Sequence, residues 1–117
     1  MVDKDLKARS RRFSFEIKGF VKKIPKNFVT YKISEQLLRS SMSVGANTRA
    51  AFRGRSRKEF IAKLGIVIEE SDEAAFWLDM LSNEKKVDQI ELRRLEKEAI
   101  ALTKIFVSIK SKYSNQN

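Results

Sequence analysis

Between Phe60 and Leu81, the residues Phe60, Leu64, Val67, Ser71, Ala74, Leu78 and Leu81 follow one another at steps of four and three without a break. A repeat averaging about 3.5 residues keeps one stripe on a single side of an α-helix, and that stripe is stable only when other helices cover it. The chain supplies three more. Over about residues 3–24, Leu6, Phe13, Ile17, Phe20 and Ile24 share a face, and Pro25, which has no backbone donor to continue the ladder, ends the stretch. Over about 30–53, Ile33, Leu37, Val44 and Ala51 share a face, with Ser40, Ser41, Ser43, Gly45 and Ala46 around them, residues small enough for close backbone approach. From about 88 to 112, Asp88 caps a helix whose seam is Leu92, Leu95, Ala99, Leu102, Phe106 and Ile109.

One proline and four glycines in 117 residues leave few other interruptions. Helices of these lengths, joined by short links, predict an all-α fold with one domain over 1–117: an up-down-up-down antiparallel four-helix bundle with helices at about 3–24, 30–53, 57–82 and 88–112. The turn into the third helix is sharply marked. Gly54 can adopt the left-handed conformation that closes a helix, and Ser56-Arg57-Lys58-Glu59 has the pattern of a capping box. Leu38, Met42, Phe52, Ile61, Ile68, Phe76 and Trp77 fall outside the main seams and predict a second apolar stripe, suited to self-association or to a wider core.

Charge is distributed unevenly. Residues 1–58 hold 16 of the 25 lysines and arginines but only 4 of the 15 acids, giving +12 there and −2 in the remainder. A concentrated field of one sign attracts polyanions. It sharpens in Arg49, Arg53, Arg55, Arg57 and Lys58, with Arg9, Arg11 and Arg12 as a second group. Either cluster can equally be a solvated helix face.

Histidine and cysteine are absent. Their absence removes the usual general base, the usual partner of a serine nucleophile, the commonest metal ligands and any disulfide, so no enzyme activity and no cofactor are expected. Glu69, Glu70, Asp72 and Glu73 are the remaining candidates for chemistry, with Glu69 and Glu73 one turn apart, where oxygen ligands can hold Mg²⁺. Pairing with basic surfaces is the more ordinary role for them. No apolar run approaches the roughly 18 residues of a membrane span, and the N-terminus lacks the apolar stretch of a signal peptide, so a cytoplasmic location is expected.

Two positions invite both structural and ligand-binding readings. Asn47, one step from a seam, suits a cross-helix hydrogen bond that fixes register, or a ligand contact. Phe76 and Trp77 suit a core or subunit interface, or a platform for unpaired bases.

The run from Gln36 to Arg49, with Ser43-Val44-Gly45-Ala46-Asn47 at its centre, then Ser56-Arg57-Lys58-Glu59-Phe60, then Glu69-Glu70-Ser71-Asp72-Glu73 and Trp77-Leu78, resembles a known family. It is similar to the S23-like four-helix-bundle proteins encoded in intervening sequences of bacterial large-subunit ribosomal RNA genes. The resemblance implies the bundle, a ring-shaped homopentamer and a loosely defined role; distant relatives are basic accessory proteins of diversity-generating retroelements that bind nucleic acid and a reverse transcriptase. One departure stands out: Ala50-Ala51 lies where members commonly carry an acid. Two functions follow for a chain of this kind. One is a nucleic-acid-binding module whose arginines neutralise phosphates without reading sequence. The other is a homo-oligomeric scaffold for an acidic protein partner.

Overall fold

The computed structural model describes the backbone of residues 2–54 and 56–115 and the side chains from residue 5 onward in those spans. Four helices follow in order: α1 (Val2–Lys23), α2 (Phe28–Ala51), α3 (Arg57–Met80) and α4 (Gln89–Ser114). Each packs on its two neighbours in a ring, within an envelope of 50 × 22 × 19 Å. The short links make adjacent helices antiparallel. This is the four-helix bundle expected from the repeats.

Its core is built from the seams. Phe13 and Ile17 of α1, Leu37 and Val44 of α2, Leu64, Val67 and Leu78 of α3, and Leu92, Leu95, Leu102 and Phe106 of α4 are all fully buried. Small residues meet large ones: Ser40, Ser41, Ser71 and Ala74 are buried among the phenylalanines and leucines. Their hydroxyls bond to carbonyls one turn back, as Ser40 does to Leu37 at 3.1 Å, and Ser71 Oγ also meets Thr103 Oγ1 at 2.7 Å across the α3–α4 contact. These three hydroxyls are buried with partners, as most buried polar groups are, whereas Ser10 Oγ and Ser34 Oγ are buried without one among the described residues.

Three local expectations are corrected. Helix α2 begins at Phe28 rather than about 30, because Asn27 caps it: Asn27 Oδ1 accepts from the Thr30 N–H and Thr30 Oγ1 accepts from the Asn27 N–H, both at 2.9 Å. Threonine fills the role usually assigned to glutamate at the third position. Second, no described glycine has positive φ, so Gly54 does not close α2 by a left-handed turn; Phe52, in the right-handed region, caps it instead. Third, the Ser56 cap is present, with Ser56 Oγ accepting from the Glu59 N–H at 3.1 Å, but a return bond from the Glu59 carboxylate is not among the bonds of the described residues.

At Gly45, α1 and α2 approach closely. A methyl group built on Gly45 would stand 2.5 Å from Ser14 Oγ. That hydroxyl donates to the Ser41 carbonyl at 2.6 Å. On the other side, α1 meets α4 more sparsely, and ion pairs span the gap: Arg9 with Glu98, Lys23 with Glu91 and Arg94 with Glu16. Among the described residues no helix is long and apolar enough to cross a membrane.

Two stability measurements check this description. Ser56→Ala is expected to cost roughly 0.5–2 kcal/mol in a denaturant melt, since it leaves an α3 backbone donor without its cap. Gly45→Val is expected to cost about 1–3 kcal/mol, because the added methyls must displace Ser14 or part the helices; an unchanged midpoint would contradict the close α1–α2 contact.

Candidate nucleic-acid interface

The antiparallel pairing of α1 and α2 sets the first half of α1 beside the last half of α2. On α1, Lys7, Arg11, Phe15 and Lys18 recur at steps of four, four and three, the spacing of one helix face. On α2, Met42, Gly45, Ala46 and Arg49 fall on one face at helical spacing, and Arg53 follows in the turn just after the helix. With Ala8 and Ser14 they line one groove of about 490 Å³ between the two helices. Its floor is apolar, its rim carries five cations, and no acid lines it.

The groove's aromatic is Phe15, 51% exposed on a helix that buries Phe13 and Phe20. Arg11 places its guanidinium carbon 4.6 Å from the centre of that ring, and Lys18 places Nζ at 5.6 Å. Both distances are within cation–π range. Among the described residues, Arg11, Lys18, Arg49 and Arg53 make no ion pair.

The eight cations singled out by sequence separate into distinct environments. Arg11, Arg49 and Arg53 come together in the groove. Arg9 does not: its Nε and Nη2 both bond to the Glu98 carboxylate at 2.8 Å, and this hydrogen bond is the leading cause of its raised pKa. Arg12 lies on the same α1–α4 side, beside Glu16, Arg94 and Glu98. Arg57 turns to the far end of α4, donating to the Tyr113 carbonyl from Nε at 3.0 Å and Nη2 at 2.5 Å. Lys58 is exposed in the first turn of α3, and Arg55 lies outside the described residues. The described members of this run thus separate in space, Arg49 and Arg53 in the groove and Arg57 and Lys58 at the start of α3. Lys7, Phe15 and Lys18 were not singled out, although their helical spacing with Arg11 was the available signal.

Other candidates take structural positions. Asn47 donates to the Ser43 carbonyl at 3.0 Å and to Ser43 Oγ at 2.8 Å, bonds within α2 rather than across helices. Of the second apolar stripe, Phe52, Ile68 and Trp77 pack against the bundle's own core, Leu38 and Ile61 are half-buried, and Met42 and Phe76 are exposed. Glu73 is engaged by Arg39 and by the Trp77 indole, and Glu70 by Arg39 at 3.0 Å, which raises the Arg39 pKa. Among the described residues no three potential ligands gather to hold a metal ion.

A family model described as 23S rRNA-intervening sequence protein matches residues 3–108. The chain belongs to that family. The solved structure of a protein with unknown function from the S23 ribosomal protein family of Bacteroides thetaiotaomicron is similar at 30% sequence identity, covering 95% of this chain and 99% of that one with a TM-score of 0.84. No curated protein matches the chain. Within the family's frame, the Ala50-Ala51 departure now has a location. Ala51 is buried, whereas Ala50 lies with Arg49, Arg53, Lys63 and the single acid Glu59 along the α2–α3 surface, so an acid at 50 would be a second carboxylate among three cations. Alanine leaves them without it.

Proposed function

We propose that the protein is a non-enzymatic nucleic-acid-binding module of the cytoplasm that grips phosphates through the α1–α2 groove without reading base sequence. One observation carries this reading. Between α1 and α4, Arg9, Lys23 and Arg94 pair with Glu98, Glu91 and Glu16, while the cations between α1 and α2 have no acid in the lining of their groove. A concave site lined by one sign of charge focuses its field on an anion. Lysine and arginine on phosphate release condensed counterions, which gives affinity without sequence information.

Self-association strengthens such a site. The exposed pairs Phe76 and Met80 on α3, and Ile100 and Val107 on α4, support an assembly of several copies, and the family resemblance favours a pentamer. Each copy adds a groove, so weak contacts combine through effective concentration. Native mass spectrometry at micromolar protein is expected to give a homo-oligomer with the pentamer dominant; a monomer would contradict this part of the proposal.

Binding is tested by its salt dependence. The parent is expected to bind unrelated sequences with similar affinity, which falls with log salt at about 0.9 per phosphate contact on duplex DNA. Changing Arg11, Arg49 and Arg53 together to glutamine should weaken binding to all sequences and make the slope shallower by up to about three contacts' worth, while Arg57→Gln should leave the slope unchanged. A triple variant with the parent's affinity and slope would remove the groove from the site. A parent that binds no nucleic acid at low salt would favour an acidic protein as the partner.

A further inference from the structure

We infer that the α1–α2 groove selects unpaired nucleic acid, stacking one base on the Phe15 ring while the surrounding cations hold the phosphates on either side. This rests on the nucleic-acid reading above and adds the class of strand.

Phe15 is the reason. A site that only neutralises phosphates needs no aromatic, and a phenylalanine left half in water on a helix with a well-filled core forgoes the stabilisation of burial. Its ring lines the groove together with Met42, Gly45 and Ala46, and the small Gly45 and Ala46 keep space open on the α2 side. A duplex keeps its base faces inside the stack and presents phosphate ridges, so its bases cannot reach a ring set between two helices. An unpaired base can. Stacking is also indifferent to base identity, since every base has a π-face, which agrees with a groove that contacts its ligand through an aromatic ring and cations suited to phosphates.

The cations are placed to serve both parts of a nucleotide. Arg11 and Lys18 already rest against the ring and, among the described residues, neither is tied to a carboxylate. A base entering the groove displaces one of them from the ring, and the displaced group turns to a phosphate. From Lys7 to Lys18 the α1 face runs for about 16 Å at ~1.5 Å per residue, with Arg49 and Arg53 across from it, enough length for a short run of nucleotides.

Fluorescence anisotropy with a labelled oligothymidine and a duplex of equal length, at one salt concentration, separates the possibilities. The parent is expected to prefer the single strand. Phe15→Ala should weaken single-strand binding roughly 5- to 150-fold, the range for loss of one stacked base, and leave duplex binding unchanged. Phe15→Leu, which keeps apolar bulk without a π-face, should show the same selective loss, and Phe15→Trp should retain or exceed the parent's affinity. Equal losses on both strands, or no loss on the single strand, would overturn the inference while leaving the charge-based reading standing. If the parent binds neither oligonucleotide, the nucleic-acid reading itself fails. Thermal melts of the three variants should match the parent, because the ring is exposed.

Discussion

The contact of Ser14 with Gly45 governs the side of the bundle that matters. Only a residue without a Cβ admits the Ser14 hydroxyl so close to α2, and that hydroxyl then bonds to the Ser41 carbonyl at 2.6 Å. An alanine at 45 would gain about 1 kcal/mol in helix propensity but set that against a hydrogen bond of similar net worth. The preference for glycine is thus geometric rather than a matter of stability. With the two backbones held together, Phe15 and Met42 share one floor, and Arg11 and Arg49 share one rim.

The two flanks of α1 show how one helix divides its charge. Toward α4, Arg9, Glu16 and Lys23 face Glu98, Arg94 and Glu91, and these exposed or half-exposed pairs add little to stability individually, at roughly 0–1 kcal/mol each. Their effect on the field is larger, because Arg9, Lys23 and Arg94 are each answered by an acid, and Arg12 and Lys97 lie beside Glu16 and Glu98. Toward α2, the corresponding acids are missing. Pairing thus shapes where the positive charge of the first half of the chain is left open, and one group of cations without an ion pair among the described residues, Arg11, Lys18, Arg49 and Arg53, gathers in a groove with an aromatic in it.

Much of the architecture was legible in sequence because helical periodicity records which residues face inward. The unbroken seam from Phe60 to Leu81, Pro25 after the first helix and Asp88 before the last fixed the order and extent of the elements to within a few residues. The start of α2 was less legible, since Asn27 and Thr30 form their reciprocal cap with a threonine where glutamate is the familiar signal. The site was harder still. Proximity in sequence grouped Arg9 with Arg11, yet about 100° per residue turns them to opposite flanks of α1, and the helix break at Gly54 sends Arg49 and Arg57 to different surfaces. Reading each helix face separately would have joined Lys7, Arg11, Phe15 and Lys18; their meeting with Arg49 and Arg53 depends on tertiary packing alone.

The central claim is that nucleic acid lies between α1 and α2, and the most direct measurement is a photocrosslink. An oligonucleotide carrying a photoreactive base, irradiated with the protein and mapped by mass spectrometry, should attach to peptides containing Phe15 and the Met42–Arg53 segment. Crosslinks confined to the α1–α4 side, around Arg12 and Arg94, or to the Arg57–Lys58 turn, would contradict it.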